Sequence, residues 1–215
     1  LFTSTIAFSQ TPTVDPTTPP DRNPVDVISI FSDAYNNISG ANYNPNWQQT
    51  GFTSANASFE PTGTGGSGNV VLAYPDFNYQ GIEFNSVQDI TSMEFLHLDI
   101  WTVDGVAPNV TVLSSGAEIP HAIPNEDASW QSIDIPVAGI TEDLSNAIQF
   151  KFDGGNGTTT AIYIDNLYFY KGEPTGIGEL DLAEFSAFPN PTNNVWNIKS
   201  NQYIHSIQVF DMVGR

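Results

Sequence analysis

Two large flat side chains, Tyr43 and Trp47, stand among asparagines and glutamines in "NYNPNWQQTGF", residues 42–52. No two-residue or 3.6-residue period runs through this stretch, so neither a strand nor a helix accounts for the rings. A neutral ligand with an apolar face and a rim of hydroxyls would account for them. Indole and phenol rings give contact area with few rotors to freeze, and the amides of Asn42, Asn44, Asn46, Gln48 and Gln49 offer paired donors and acceptors. "NYQG" adds Tyr79 and Gln80 to the same chemistry. A second group comes from strand alternation. In "FLHLDIWT", residues 95–102, Leu96, Leu98 and Ile100 alternate toward a core, which puts His97, Asp99 and Trp101 on the opposite face. The same rule in "WQSIDIP" turns Trp130, Ser132 and Asp134 outward, and in "AIQFKFD" it turns Ile148, Phe150 and Phe152 inward and Gln149, Lys151 and Asp153 outward. These three strands read as one polar face with interspersed tryptophan. The ligand-contact candidates are Tyr43, Trp47, Tyr79, Gln80, His97, Asp99, Trp101 and Trp130. The competing reading is packing, with Trp47 plugging a core and Trp101 lying in a second layer under an N-terminal covering segment.

Catalytic constellations do not stand out. The histidines, His97, His121 and His205, accompany no G-x-S-x-G elbow and no H-E-x-x-H pair. There is no phosphate-cradling glycine loop and no basic cluster. A glycosidase needs two carboxylates opposed across a cleft, and the nearest acidic run, "EDLSNA", reads as a solvated turn. The absence of cysteine removes thiol catalysis and thiolate metal sites. The expectation is a protein that is not an enzyme.

The elements that must position these residues are strands. The chain has 215 residues and a net charge of −19, with only 13% charged but 40% hydrophobic and 12% aromatic residues. So acidic a chain repels nucleic acid and anionic membrane surfaces. No stretch approaches the ~20 apolar residues of a membrane span. Eight strand-like runs, "DVISIF", "NVVLAY", "GIEFN", "FLHLDIWT", "NVTVLS", "WQSIDIP", "AIQFKFD" and "AIYIDNLYFYK", are divided by segments rich in Gly, Pro, Asn and Asp. They predict an all-β, two-sheet antiparallel sandwich of jelly-roll type over residues 25–171. One short helix is expected near Thr141–Asn146, with Leu144 facing inward. Residues 1–10 read as the tail of a signal peptide, 11–24 as a Pro/Thr-rich extended linker, and 172–182 as a second linker.

Residues 183–215 form a small C-terminal β fragment. Its "FPNPTNN" followed by "IHSIQVFDMVGR" resembles the type A sorting domain of type IX secretion, through Pro189, Asn190, Pro191, Ile207, Val209, Asp211, Gly214 and Arg215. That family usually continues for a few strands beyond the Gly-Arg, so the domain reads as truncated here. The resemblance implies export to the cell surface or medium, with the type IX machinery as a partner, and says nothing of activity. The larger region, with "NPVDVISIFSDAY", "NYNPNW", "YQGIEF" and "IYIDNLYFYK", resembles the carbohydrate-binding-module-like sandwiches attached to secreted glycan-degrading enzymes. It implies a polysaccharide or oligosaccharide ligand. It also implies a structural calcium ion held by hard oxygens at Asp165, with Asp26 and Asp33 as candidate partners. The expectation is a secreted, non-catalytic polysaccharide-binding module. The alternatives are a lyase or hydrolase on the same fold, and an adhesive or structural surface domain without a small ligand.

Overall fold

The computed structural model describes residues 11–61, 68–103, 107–124, 128–157 and 159–172, with the strand residues 186–188 and 197–199. The chain divides into two units, Leu1–Gly172 and Glu173–Arg215. The first holds β1 (Val27–Phe31), β2 (Asn56–Phe59), β3 (Val71–Tyr74), β4 (Tyr79–Gln88), β5 (Phe95–Thr102), β6 (Asn109–Leu113), β7 (His121–Ala122), β8 (Trp130–Pro136), β9 (Ala147–Asp153) and β10 (Ile162–Tyr170). Short 3-10 turns cover Pro24–Asp26 and Thr50–Thr53. In the second unit, β11 (Ser186–Phe188) pairs antiparallel with β12 (Asn197–Lys199).

All strand pairs are antiparallel, and those of the first unit fall into two sheets. One runs β2-β3-β10-β5-β8, with β1 also on β10; the other runs β4-β9-β6-β7. Their facing sides enclose one core. Ile30, Leu72, Leu96, Leu98, Ile100, Ile162, Ile164, Leu167 and Phe169 come from the larger sheet, and Ile82, Val110, Val112, Phe150 and Phe152 from the smaller. The expected two-sheet antiparallel sandwich is what forms, because period-two alternation gives each sheet one apolar side and two such sides bury each other.

Strand β10 organises the larger sheet. One edge pairs with β5 along its whole length. The other pairs with β3 through Ile162–Ile164 and with β1 through Leu167–Tyr170. Between these partners the β5 register slips, with Asp165 opposite Asp99 and Tyr168 opposite His97. This is a β-bulge, and Asn166 there takes a left-handed φ of 48°. Asparagine tolerates that conformation better than most side chains. Backbone between β1 and β3 has no strand beside it, and polar side chains from both strand ends fill the gap. Ser32 Oγ donates to Asn166 Oδ1 at 2.8 Å, and Asn69 Nδ2 donates to Asp165 Oδ2 at 3.0 Å.

Four sequence readings need correction. No helix forms at Thr141–Asn146. Asp143 instead caps a turn by accepting from Ser145 N and Oγ, Thr141 is buried against Ser114, and Leu144 packs on the core as expected. Ile148 is 39% exposed because Ala147 takes the inward place, where the β4 register shifts between Glu83 and Gln88. Strand β9 does not share a sheet with β5 and β8, so the single polar face built from those three strands does not exist. The stretch 11–24 does not stand off the domain: it lies against the outer face of the larger sheet, where Trp130 Nε1 donates to Val14 O at 2.7 Å. Residues 1–10, most of 172–182 and the sorting motif residues Pro189, Asn190, Pro191, Ile207, Val209, Asp211, Gly214 and Arg215 lie outside the described residues.

Candidate functional site

The residues singled out from the sequence separate onto two outer faces. On the larger sheet, His97, Asp99 and Trp101 of β5 do point away from the core, since Leu96, Leu98 and Ile100 are fully buried. None of the three is open to a ligand. Trp101 is 4% exposed and meets Tyr163 edge-on at 5.3 Å, in a small apolar cluster with Val71, Ala73, Val103 and Ala161. Trp130 packs beside it, with its N–H committed to Val14 O. Asp99 is 2% exposed and accepts from Asn166 Nδ2 at 2.6 Å. His97 stacks on Tyr168 at 4.8 Å and lies 2.8 Å from Asp134 Oδ1 through Nδ1 and 3.6 Å from Asp99 Oδ1 through Nε2. Burial pulls the His97 pKa down, but the hydrogen bonds and charges of Asp99 and Asp134 together outweigh it, leaving the imidazole above its ordinary value.

Of the carboxylates proposed for calcium, Asp26 lies apart, while Asp33 is close enough to Asp165 for its charge to raise the Asp165 pKa. Asp26, before β1, pairs with Lys171 Nζ at 3.1 Å. Asp165 sits at the bulge, six residues back along β10, or ~20 Å in an extended strand. It is fully buried, and its oxygens accept from Asn166 N at 2.7 Å and Asn69 Nδ2 at 3.0 Å. Asp33 accepts from Val70 N at 2.9 Å. Asp33 and Asp165 are each engaged by N–H donors, and no group of three or more His, Cys, Asp or Glu side chains that could hold a metal exists among the described residues. These residues do not fit a calcium ion as arranged. Burial, aided by the charges of Asp33 and Asp99, pushes the Asp165 carboxyl up to about 7 against the two hydrogen bonds that favour its charge.

The smaller sheet presents the other group. The 42–52 loop attaches to the free edge of β4, with Asn42 N donating to Glu83 O at 2.8 Å and Glu83 N to Asn42 O at 3.0 Å. Tyr43 does not serve as a platform. Its ring packs edge-on against Phe31 at 5.3 Å and its hydroxyl donates to Ile30 O. Gln80 is 2% exposed and ties the loop to β4 by donating to Asn44 Oδ1 at 3.3 Å. Buried Gln49 cross-links the loop itself, donating to Pro45 O at 2.8 Å. Much of the amide rim is therefore scaffold.

What the scaffold holds is Trp47. A methyl group on Gly81 would lie 2.3 Å from Cη2, 2.4 Å from Cζ2 and 2.7 Å from Cζ3 of its ring. Three consecutive ring atoms at such similar distances put that point over the ring face, because at a ring edge the middle atom would be much the nearest. The indole thus lies on the outer surface of β4, which only a glycine permits. Its Nε1 donates to Glu83 Oε1 at 3.1 Å, its backbone N to Gln49 Oε1 at 2.8 Å, and Tyr79 OH donates to its carbonyl at 2.8 Å. The ring is half-buried: one face on Gly81, the other turned away from the sheet.

Strand register supplies the neighbours. Gly81 stands opposite Lys151, Glu83 opposite Gln149, and Tyr79 opposite Asp153. On the next strand, Asn109 opposes Asp153 and its Nδ2 donates to Asp153 Oδ1 at 2.8 Å. Lys151 contacts Glu118 and lies 3.7 Å from Asp153. The face thus offers one fixed aromatic plane beside an amide, an ammonium and carboxylates, all able to bond hydroxyls. Alternation marked Gln149, Lys151 and Asp153 as outward but assigned them to the wrong sheet. Gly81 and Glu83 were missed. The available signal was a glycine inside the strand-like "YQGIEF", since glycine within a strand marks close approach by another group.

Among solved structures the sandwich is similar to a family 29 carbohydrate-binding module (16% identity, 68% of this chain, 88% of that chain, TM-score 0.43). It is also similar to CBM29_1, a family 29 module from Piromyces equi (13%, 68%, 90%, 0.40). A third likeness is to the family 11 module of a cellulosomal cellulase of Clostridium thermocellum (18%, 51%, 78%, 0.35). No curated protein matches the chain. No helix among the described residues is long and apolar enough to cross a membrane. Residues 186–215 match the family model described as "Secretion system C-terminal sorting domain". The C-terminal piece of this chain is therefore a type IX secretion sorting domain, and the protein is secreted or held at the cell surface.

Proposed function

We propose that residues 25–171 are a non-catalytic module that binds a neutral polysaccharide across the outer face of the smaller sheet. Trp47 is its stacking platform, and Tyr79, Gln149 and Lys151 are its polar surround. The observation that carries this reading is the seat of the indole. A ring laid flat on Gly81, with its N–H fixed by Glu83, has lost its rotamer freedom before any ligand arrives, so stacking on the C–H face of a sugar costs little ordering. The net charge of −19 disfavours polyanionic glycans and leaves neutral chains as the ligand class. With one platform per module, each contact is weak, and repeated engagement along a polymer supplies avidity. The partner of the sorting domain in this reading is the type IX secretion machinery.

Affinity electrophoresis against a panel of neutral and acidic polysaccharides tests the proposal. Retarded migration on a neutral glycan, without release of reducing ends or unsaturated products, is the expected result. Product release overturns the non-catalytic assignment. Migration unchanged on every glycan overturns binding and leaves a structural or adhesive domain.

A further inference from the structure

The stretch 11–22, "TPTVDPTTPPDR", has a repeat that its composition does not announce. Three side chains of the domain donate to its backbone: Trp130 Nε1 to Val14 O at 2.7 Å, Asn166 Nδ2 to Thr17 O at 3.3 Å, and Tyr35 OH to Pro20 O at 2.6 Å. The acceptors are three residues apart each time. From Pro16 onward burial repeats with the same interval, since Pro16, Pro19 and Arg22 are half-buried while Thr17, Thr18, Pro20 and Asp21 are exposed; before it, buried Pro12 and half-buried Asp15 fall outside that phase. A three-residue period belongs to the polyproline II helix, which makes no internal hydrogen bonds and leaves its carbonyls to outside donors. Four prolines, at 12, 16, 19 and 20, pre-set φ for that conformation. No helix, strand or turn interrupts the segment from Asp15 to Asn23, and Asn23 stands at φ −62°, ψ 130°, in the extended region that contains polyproline II.

The receiving surface has the matching chemistry. Tyr35, Tyr168, Tyr170 and Trp130 line it, with Tyr35 edge-on to Tyr168 at 4.8 Å. The Arg22 guanidinium lies 3.9 Å over the Tyr170 ring. Aromatic walls that donate N–H and O–H groups to carbonyls at every third residue are a recurring way to recognise proline-rich segments. At its C-terminal end a cavity of about 290 Å³ lies beside Asp21, Arg22 and Tyr35. Toward the N-terminus a cavity of about 440 Å³ lies between residues 11–17 and the pair Trp101 and Trp130.

We propose that the outer face of the six-stranded sheet is a docking groove for a polyproline II segment, filled in cis by Thr11–Arg22. When that copy is loosened, the groove takes a proline-rich segment of the same period from another chain. In the intact protein the tethered copy has the advantage of high effective concentration, on the order of millimolar.

The full chain and its Pro16→Gly/Pro19→Gly variant test this. The two changes keep all three acceptor carbonyls and touch no strand; a thermal melt confirms that the sandwich is intact. Limited proteolysis within 11–22 and fluorescence anisotropy of a labelled Thr11–Arg22 peptide are read on both proteins. The wild type is expected to resist cleavage and ignore the peptide. The variant should be cleaved at least tenfold faster and bind the peptide, but not a scrambled peptide of the same composition in which the spacing of Pro16 and Pro19 is lost. An unchanged cleavage rate overturns the proposal, as does equal binding of the scrambled peptide or binding of neither. Gain of polysaccharide retardation by the variant, with no peptide binding, would also overturn it and make this face a second glycan surface.

Discussion

The two outer faces of the sandwich both carry tryptophan and treat it in opposite ways. On the six-stranded sheet, Trp101 and Trp130 rise from strands, and other parts of the same chain cover them. On the four-stranded sheet no strand carries a tryptophan outward among the described residues. A loop brings Trp47 in from the edge and lays it on Gly81. An outward tryptophan in a strand is thus poor guidance to a ligand, because a flat aromatic surface attracts whatever chain is tethered nearby. In the proposed reading, an indole whose underside is fixed, and whose N–H is held by a carboxylate, offers its upper face to the ligand.

The sharpest way to break this comparison is Trp101→Ala. If the ring is packing, unfolding stability falls by ~3–5 kcal/mol in chemical denaturation while glycan retardation is unchanged. Loss of glycan retardation at preserved stability would exchange the roles of the two faces. Next is pH. The Asp165 carboxyl is raised from 3.8 to about 7 by burial. The folded chain therefore holds a proton that the unfolded chain releases between those values. This residue's contribution is greatest below about pH 4 and declines, at up to ~1.4 kcal/mol per pH unit, until about pH 7. His97, also raised, loses its contribution as pH climbs through its own folded value. Denaturant midpoints from pH 4 to 7 should show the slope, and Asp165→Asn should flatten it. Glycan retardation should not follow, because both groups belong to the covered face.

Trp47→Ala is expected to weaken glycan binding by ~2 kcal/mol, about thirtyfold, the scale of a tryptophan hot spot. Its effect on melting should be much smaller than that of Trp101→Ala. Gly81→Ala sharpens the comparison with one methyl. Its backbone does not lie in the left-handed region, so the substitution acts only by lifting the indole from its seat. A severalfold loss of glycan affinity with a shifted tryptophan fluorescence maximum is expected. Lys151→Ala should be mildest: its exposed ion pairs are worth ~0–1 kcal/mol, and glycan affinity should change only a few-fold.

Most of the sandwich could be read from the chain, because alternation in runs such as "FLHLDIWT" and "AIQFKFD" is a local property that burial then obeys. Strands β2 and β7 were not read. One has exposed Asn56, Ala57 and Ser58 with no large apolar residue among them, and the other is two residues long, so neither carries a usable period. Sheet membership was also hidden. Nothing local in β9 tells which partners it takes, and that ambiguity merged two faces into one. The candidate site was half visible. Trp47 and Tyr79 stood out by being aromatic in a polar context, but Gln80 and Tyr43 shared that context and turned out to be internal cross-links. The role of Thr11–Arg22 could not be recovered from composition, because a three-residue period acquires meaning only when a surface with matching donors is known.

The position of β10 has a consequence for how the molecule comes into being. It is the middle of the larger sheet and also the last sandwich strand to be synthesised, so β1, β3 and β5 wait for residue 170 before they have a common partner. Until then three strand edges stand open on the nascent chain, and closing the sheet joins residues about 140 apart, which makes folding slow and late. A ribosome that pauses shortly before β10 would hold a chain with most of its apolar residues made and no means of burying them.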